Sequence, residues 1–148
     1  MRRKILCLLG ALLFAGVSQA QTVVPQFSPD KRYLAEIRLH TPMEIENLLE
    51  RASKLVESAE AYKGFEPIAV VLHGDEADAF RSGNYQRYRK LIDLAARLDA
   101  FNVIDVQICE TWMRMNNISR SELPAFVDTV PFGPAAERSL KRKGYQAF

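Results

Sequence analysis

Along this chain, stretches of alternating or continuous apolar residues exchange places with stretches in which apolar residues recur every third or fourth position. In Ala35-Glu36-Ile37-Arg38-Leu39-His40 apolar and polar residues alternate, which predicts a strand with one buried face. Thr41-Pro42-Met43-Glu44 follows, with an N-cap threonine, a proline at the first helical position and a glutamate placed to complete a capping box. Ile45, Leu48, Leu49, Ala52, Leu55, Val56 and Ala59 then recur at helical spacing, with Glu46, Glu50, Arg51, Lys54 and Glu57 opposite them. An amphipathic helix ending near Lys63-Gly64 is predicted. The run Ile68-Ala69-Val70-Val71-Leu72, bounded by Pro67 and Gly74, has the continuous apolar character of a strand covered on both faces.

The alternation continues to the end of the chain. A short helical stretch reaches Phe80, a turn falls at Ser82-Gly83-Asn84, and Tyr88, Leu91, Ile92, Ala95 and Leu98 mark a second amphipathic helix. Val103 to Cys109 reads as a third strand, Glu110 to Met115 as one or two helical turns, Ser121-Glu122-Leu123-Pro124 as a turn and Phe126 to Val130 as a fourth strand. Gly133-Pro134 opens a last helix that closes at Lys143-Gly144, before a short strand over Tyr145 to Phe148. Parallel neighbours need helical crossovers, and those crossovers bury both faces of the sheet. The expectation is therefore an α/β fold, a single layered domain with a mainly parallel central sheet of about five strands flanked by helices.

The N-terminus does not belong to this pattern. Arg2, Arg3 and Lys4 precede an apolar or small-residue run from Ile5 to Val17, and Ser18-Gln19-Ala20 places small residues where a signal peptidase reads. Residues 1–20 are read as a cleavable signal peptide with cleavage after Ala20, residues 21–32, with Pro25 and Pro29, as an extended lead-in, and residues 33–148 as the folded domain. The apolar run is shorter than the roughly 20 residues that span a bilayer. A periplasmic or otherwise exported protein with no membrane attachment after cleavage is expected.

Removing the signal changes the charge. The whole chain of 148 residues carries 20 Lys plus Arg against 18 Asp plus Glu; without Arg2, Arg3 and Lys4 the balance is 17 to 18, a net of −1. No basic footprint for nucleic acid remains. With 7 Gly, 7 Pro and 2 Cys the chain is neither collagen-like nor a disulfide scaffold. Cys7 leaves with the signal, so Cys109 stands alone and no intramolecular disulfide can form.

The candidate chemistry sits at the carboxyl ends of predicted strands, where ligands bind in such sheets. Cys109 ends one strand and precedes a predicted helix start, whose free N–H groups favour a thiolate. A small buried hydrophobe at the same position is the competing reading, and Glu110 beside it disfavours a thiolate unless its side chain turns away. His73 ends another strand, either as an acid–base or ligand-binding group or as a polar stop, and Gly74 permits close backbone approach or a positive φ at the turn. His40, His73 and Cys109 show no metal-ligand spacing, so no metal is expected. Gly-x-Ser-x-Gly, Gly-x-Gly-x-x-Gly and P-loop patterns are absent, so neither a nucleophile-elbow hydrolase nor a nucleotide cofactor is indicated. Trp112, Met113 and Met115 follow the cysteine as an apolar segment that packs on the sheet, roofs a pocket or meets a neighbouring subunit.

Taken in order, several of these features resemble the DsrE/DsrF-like (YchN-like) family. They are the strand Ile68 to Leu72 with His73-Gly74, the strand running into Cys109, Ile118 to Leu123 reading Ile-Ser-Arg-Ser-Glu-Leu, the segment Pro124 to Val130, and the ending Leu140 to Phe148 with Lys143-Gly144-Tyr145-Gln146-Ala147-Phe148. The similarity runs from about Tyr33 to Phe148. It implies a compact α/β domain that assembles into homotrimers or hexamers and, in the sulfur-relay branch, a cysteine that carries sulfur as a persulfide, here Cys109, exchanging with a sulfur donor or acceptor protein. His73 and Gly74 would form the rim of that site as ligand-binding residues, and no organic cofactor is needed. Where the family often places glycine after the cysteine, this chain has Glu110. A noncatalytic oligomeric module of the same fold, binding a small ligand or a protein, is the alternative, with Cys109 as packing.

Overall fold

A computed structural model of the chain describes residues 28, 30–57 and 65–148. The signal segment, most of the lead-in and the expected helix end at Lys63-Gly64 lie outside the described residues. The elements are β1 (Tyr33–Leu34), α1 (Pro42–Glu57), β2 (Ile68–Leu72), α2 (Tyr85–Ala100), β3 (Ile104–Cys109), α3 (Glu110–Met115), β4 (Asp128–Val130), α4 (Gly133–Arg142) and β5 (Gln146–Ala147). Short 3-10 helices fill Asp75–Phe80, Ser82–Asn84 and Arg120–Glu122. The five strands form one sheet in the order β4-β3-β2-β1-β5, and every pairing is parallel. The fold is α/β, with a parallel sheet flanked by helices.

Side chains of alternate strand positions enter two separate cores. Ile68, Val70 and Leu72 of β2 and Ile104, Val106 and Ile108 of β3 join Ile45, Leu49 and Ala52 of α1 and Leu91, Ala95 and Leu98 of α2 in the larger one. Ala69 and Val71 of β2 join Leu34, and Ala136 and Leu140 of α4 pack against them from the other side. This double coverage is why β2 is apolar at every position. In β3 the second face is only half-buried and carries Asp105 and Gln107, joined by a 2.6 Å hydrogen bond from Gln107 Nε2 to Asp105 Oδ2. Burial pushes the Asp105 carboxyl above the ordinary aspartate range; Asp128 adds to this, and the Gln107 bond opposes it only in part.

The strand expected over Ala35 to His40 is displaced. Ladder pairing stops after Tyr33–Leu34, with one further bond from Ala35 N–H to the Ala69 carbonyl. Beyond it the donors go elsewhere: the N–H groups of Arg38, Leu39 and His40 all donate to the Glu44 carboxylate, at 2.8, 2.8 and 3.0 Å. The first turn of α1 thus captures the residues that a strand would have used. Leu39, expected on a buried face, is 75% exposed, and His40 turns the chain with φ +52°. The capping box is likewise altered, since Thr41 Oγ1 accepts from Glu44 N–H while the glutamate reaches further back than the N-cap. The fourth strand is shorter than expected, beginning at Asp128 rather than Phe126.

Candidate functional site

Cys109 is the last residue of β3 and the N-cap of α3. Its sulfur accepts a hydrogen bond from the Trp112 N–H at 3.5 Å, and the residue is buried, with 2% of its surface exposed. The carboxylate of Glu110 is occupied on other partners. Thr129 Oγ1 donates to it at 3.0 Å, and Arg114 lies 3.9 Å away. Met113 belongs to the larger core and Trp112 packs against it, whereas Met115 is exposed.

His73 and Gly74 follow β2 and form part of a cluster built on Glu76, the only buried charged residue among those described. Its side chain has no exposed surface. Oε1 accepts from the His73 N–H at 2.8 Å and from the Gly74 N–H at 3.0 Å, and both carboxylate oxygens lie 3.2 Å from His40 Nδ1. The Glu76 N–H donates in turn to the His40 carbonyl. An ionised carboxylate only accepts, so His40 donates to it from Nδ1–H. The His73 ring lies 4.6 Å from that of His40, centroid to centroid, and its Nε2 is 3.3 Å from Glu137 Oε1 on α4.

Two glycines make room for the imidazoles. A Cβ at Gly74 would fall 2.7 Å from both Glu76 Oε2 and His40 Cβ, and one at Gly133 would fall 2.9 Å from the His73 ring. The role of Gly74 is therefore close approach to a neighbouring loop, at an ordinary extended φ of −127°. Together these contacts tie the loop after β1, the end of β2 and the start of α4 into one polar knot at the carboxyl edge of the sheet.

The register that pairs Leu72 with Ile108 puts His73 and Cys109 at corresponding positions of adjacent strands. No hydrogen bond joins them, since His73 is engaged by Glu137 and the Cys109 sulfur by Trp112. Sequence reasoning singled out His73, Gly74 and Cys109 but not Glu76, Glu137 or the part played by His40. One signal was available for Glu76. A glutamate can fold back onto a free N–H three residues before it, here that of His73 just after the strand, as Glu122 does onto the Ser119 N–H at 2.9 Å. Among the described residues, no group of three or more His, Cys, Asp or Glu is placed to hold a metal ion.

No protein-family model matches the chain, and no curated protein does. Among solved structures it is similar to the protein of unknown function MTH1491 from Methanobacterium thermoautotrophicum, with a TM-score of 0.56 and 17% sequence identity. The match covers 80% of this chain and 98% of that one. At this identity the likeness speaks for the fold alone.

Proposed function

We propose that this chain is an exported, self-associating DsrE-like domain that works as a binding module rather than by thiol chemistry. The observation that carries this reading is the burial of Cys109. A thiol that accepts and passes sulfur must meet a donor and an acceptor, and this one has 2% of its surface exposed. His73 and Gly74 serve the module by gripping Glu76, which holds His40 and the loop 35–41 in one shape. A sulfur carrier at Cys109 is the second reading. It is favoured by the Trp112 N–H donated to the sulfur, which suits a negative charge there.

Mass analysis after treatment of the native protein with iodoacetamide or polysulfide separates the two, with Cys109→Ser as the control. As a binding module the folded protein resists alkylation at neutral pH until it is unfolded, and gains no sulfur. Rapid native alkylation together with sulfur added at Cys109 would establish the carrier instead. The export reading predicts that protein recovered from the periplasm begins at Gln21.

A further inference from the structure

We infer that two copies of this chain dock face to face, the α4 helix of each seated on the bare strip of β3 and β4 in the other. This docking deepens the self-association in the reading above and rests on it. Connections between parallel strands are right-handed, so the direction in which a crossover steps decides which face of the sheet it covers. The chain steps the same way from β1 to β2, β3 and β4, and then returns across the sheet to β5. The first three connections accordingly fill the larger core, with α1, α2 and Met113, Ile118 and Val127 of the third. The return leaves α4 for the other face, where it lies over β1 and β2. Among the described residues, no helix covers that face of β3 and β4.

The uncovered strip is an acidic trough. In-register residues of parallel neighbours share a face, so Asp105 and Gln107 stand beside Ala69 and Val71 of β2, and Asp128 beside Gln107. Asp105 and Gln107, half-buried and bonded to each other, form the floor, while Asp128 is exposed. Neither aspartate forms a salt bridge with a described residue, and Arg120, which approaches the start of β4, is held by the carbonyls of Pro124, Ala125 and Val127. The Asp99 carboxyl close by is pushed up by burial first and then by the charges of Asp105 and Asp128.

Helix α4 is the matching ridge. Ala136 and Leu140 face the sheet, so Arg138 and Arg142, two residues to either side of Leu140 and both exposed, project the opposite way. They form no salt bridge with a described residue, and Glu137, the helix's single carboxylate, is turned to His73. A ridge and a trough of opposite charge, side by side on one face, are self-complementary under a two-fold axis along the strands. The levels also agree. Helix α4 starts where Gly133 meets the His73 ring and runs to the amino edge, where Arg32 donates to the Lys143 carbonyl. Arg138 is five residues down this helix, about 7.5 Å. Asp128 is in register with Gln107 and so with Val71, two residues below His73, about 6.6 Å. The two-fold keeps both amino edges at one end, so Arg138 of each copy arrives level with Asp128 of the other.

Sedimentation velocity of the intact mature protein at micromolar concentrations tests this. The parent is expected to form dimers, and Arg138→Glu or Asp128→Lys should each raise the dissociation constant at least about tenfold, because the two-fold makes every substitution act twice. Arg97→Glu, exposed on α2 at the other face, should leave it unchanged. The decisive sample is a mixture of Arg138→Glu with Asp128→Lys. Each dissociates alone, but mixed in equal amounts they should form dimers again, since both contacts of the mixed pair join opposite charges. All three sites are exposed, and circular dichroism confirms that each variant is folded. Association that neither substitution weakens, or a mixture that stays dissociated, overturns this interface and leaves self-association standing. A parent that remains monomeric throughout removes both.

Discussion

Replacing Glu76 probes the centre of the polar knot. The carboxylate has no exposed surface and serves three donors, the N–H groups of His73 and Gly74 and Nδ1 of His40. Glu76→Ala leaves these donors without their partner and opens a void where the side chain stood. An abandoned buried polar group costs about 1–3 kcal/mol, and three donors lose the same acceptor at once. These losses are not additive, and together they put Glu76→Ala at roughly 3–5 kcal/mol. Glu76→Gln keeps one oxygen for the two N–H groups, but with neutral rather than charge-assisted bonds, and should cost roughly 1–2 kcal/mol. The oxygen kept for those groups also lies 3.2 Å from His40 Nδ1 and can still accept from it. Urea unfolding at neutral pH measures the energies. With a slope near 2 kcal/mol/M, the alanine variant's midpoint should fall by about 2 M. Nitrogen NMR of the His40 ring reads whether the Nδ1 bond is kept. An alanine variant within about 1 kcal/mol of the parent, or a glutamine variant no more stable than alanine, would refute the claim that this carboxylate organises the edge.

Other consequences follow from the same contacts. Gly133→Ala sets a methyl group 2.9 Å from the His73 ring, and unfolding should show a loss of about 1–3 kcal/mol from this overpacking. Asp105→Asn should raise the thermal midpoint at neutral pH, because the fold disfavours the ionised form of this half-buried carboxyl. The penalty is absent below the ordinary aspartate range and grows as pH rises through the elevated folded value. The gain should therefore shrink on acidification, and melting curves at neutral and acid pH check it.

Much of the fold was legible because local patterns and tertiary packing agree. The run Ile68–Leu72 is apolar throughout since helices cover both its faces, and the expected strand has the observed bounds. The same agreement places α2, α3 and α4 where helical spacing and the Gly133-Pro134 start put them. Alternation over residues 35–40 misled for the opposite reason. Its donors are taken by Glu44 at short range, and this local competition outweighs a pattern that records apolarity but not where hydrogen bonds go.

What the sequence alone determines here is the order of strands and helices, the solitary cysteine of the domain and the polar residues that end its strands. Tertiary structure decides which of these meet. His40 and Glu76 are 36 residues apart, and His73 and Glu137 are 64 apart, yet each pair is in contact. No periodicity encodes such pairings, because they arise when the crossovers bring separate loops to one edge of the sheet. Burial of Cys109 is decided in the same way. A thiol at a strand end is reactive or inert according to what packs over it, and folding leaves this one 2% exposed.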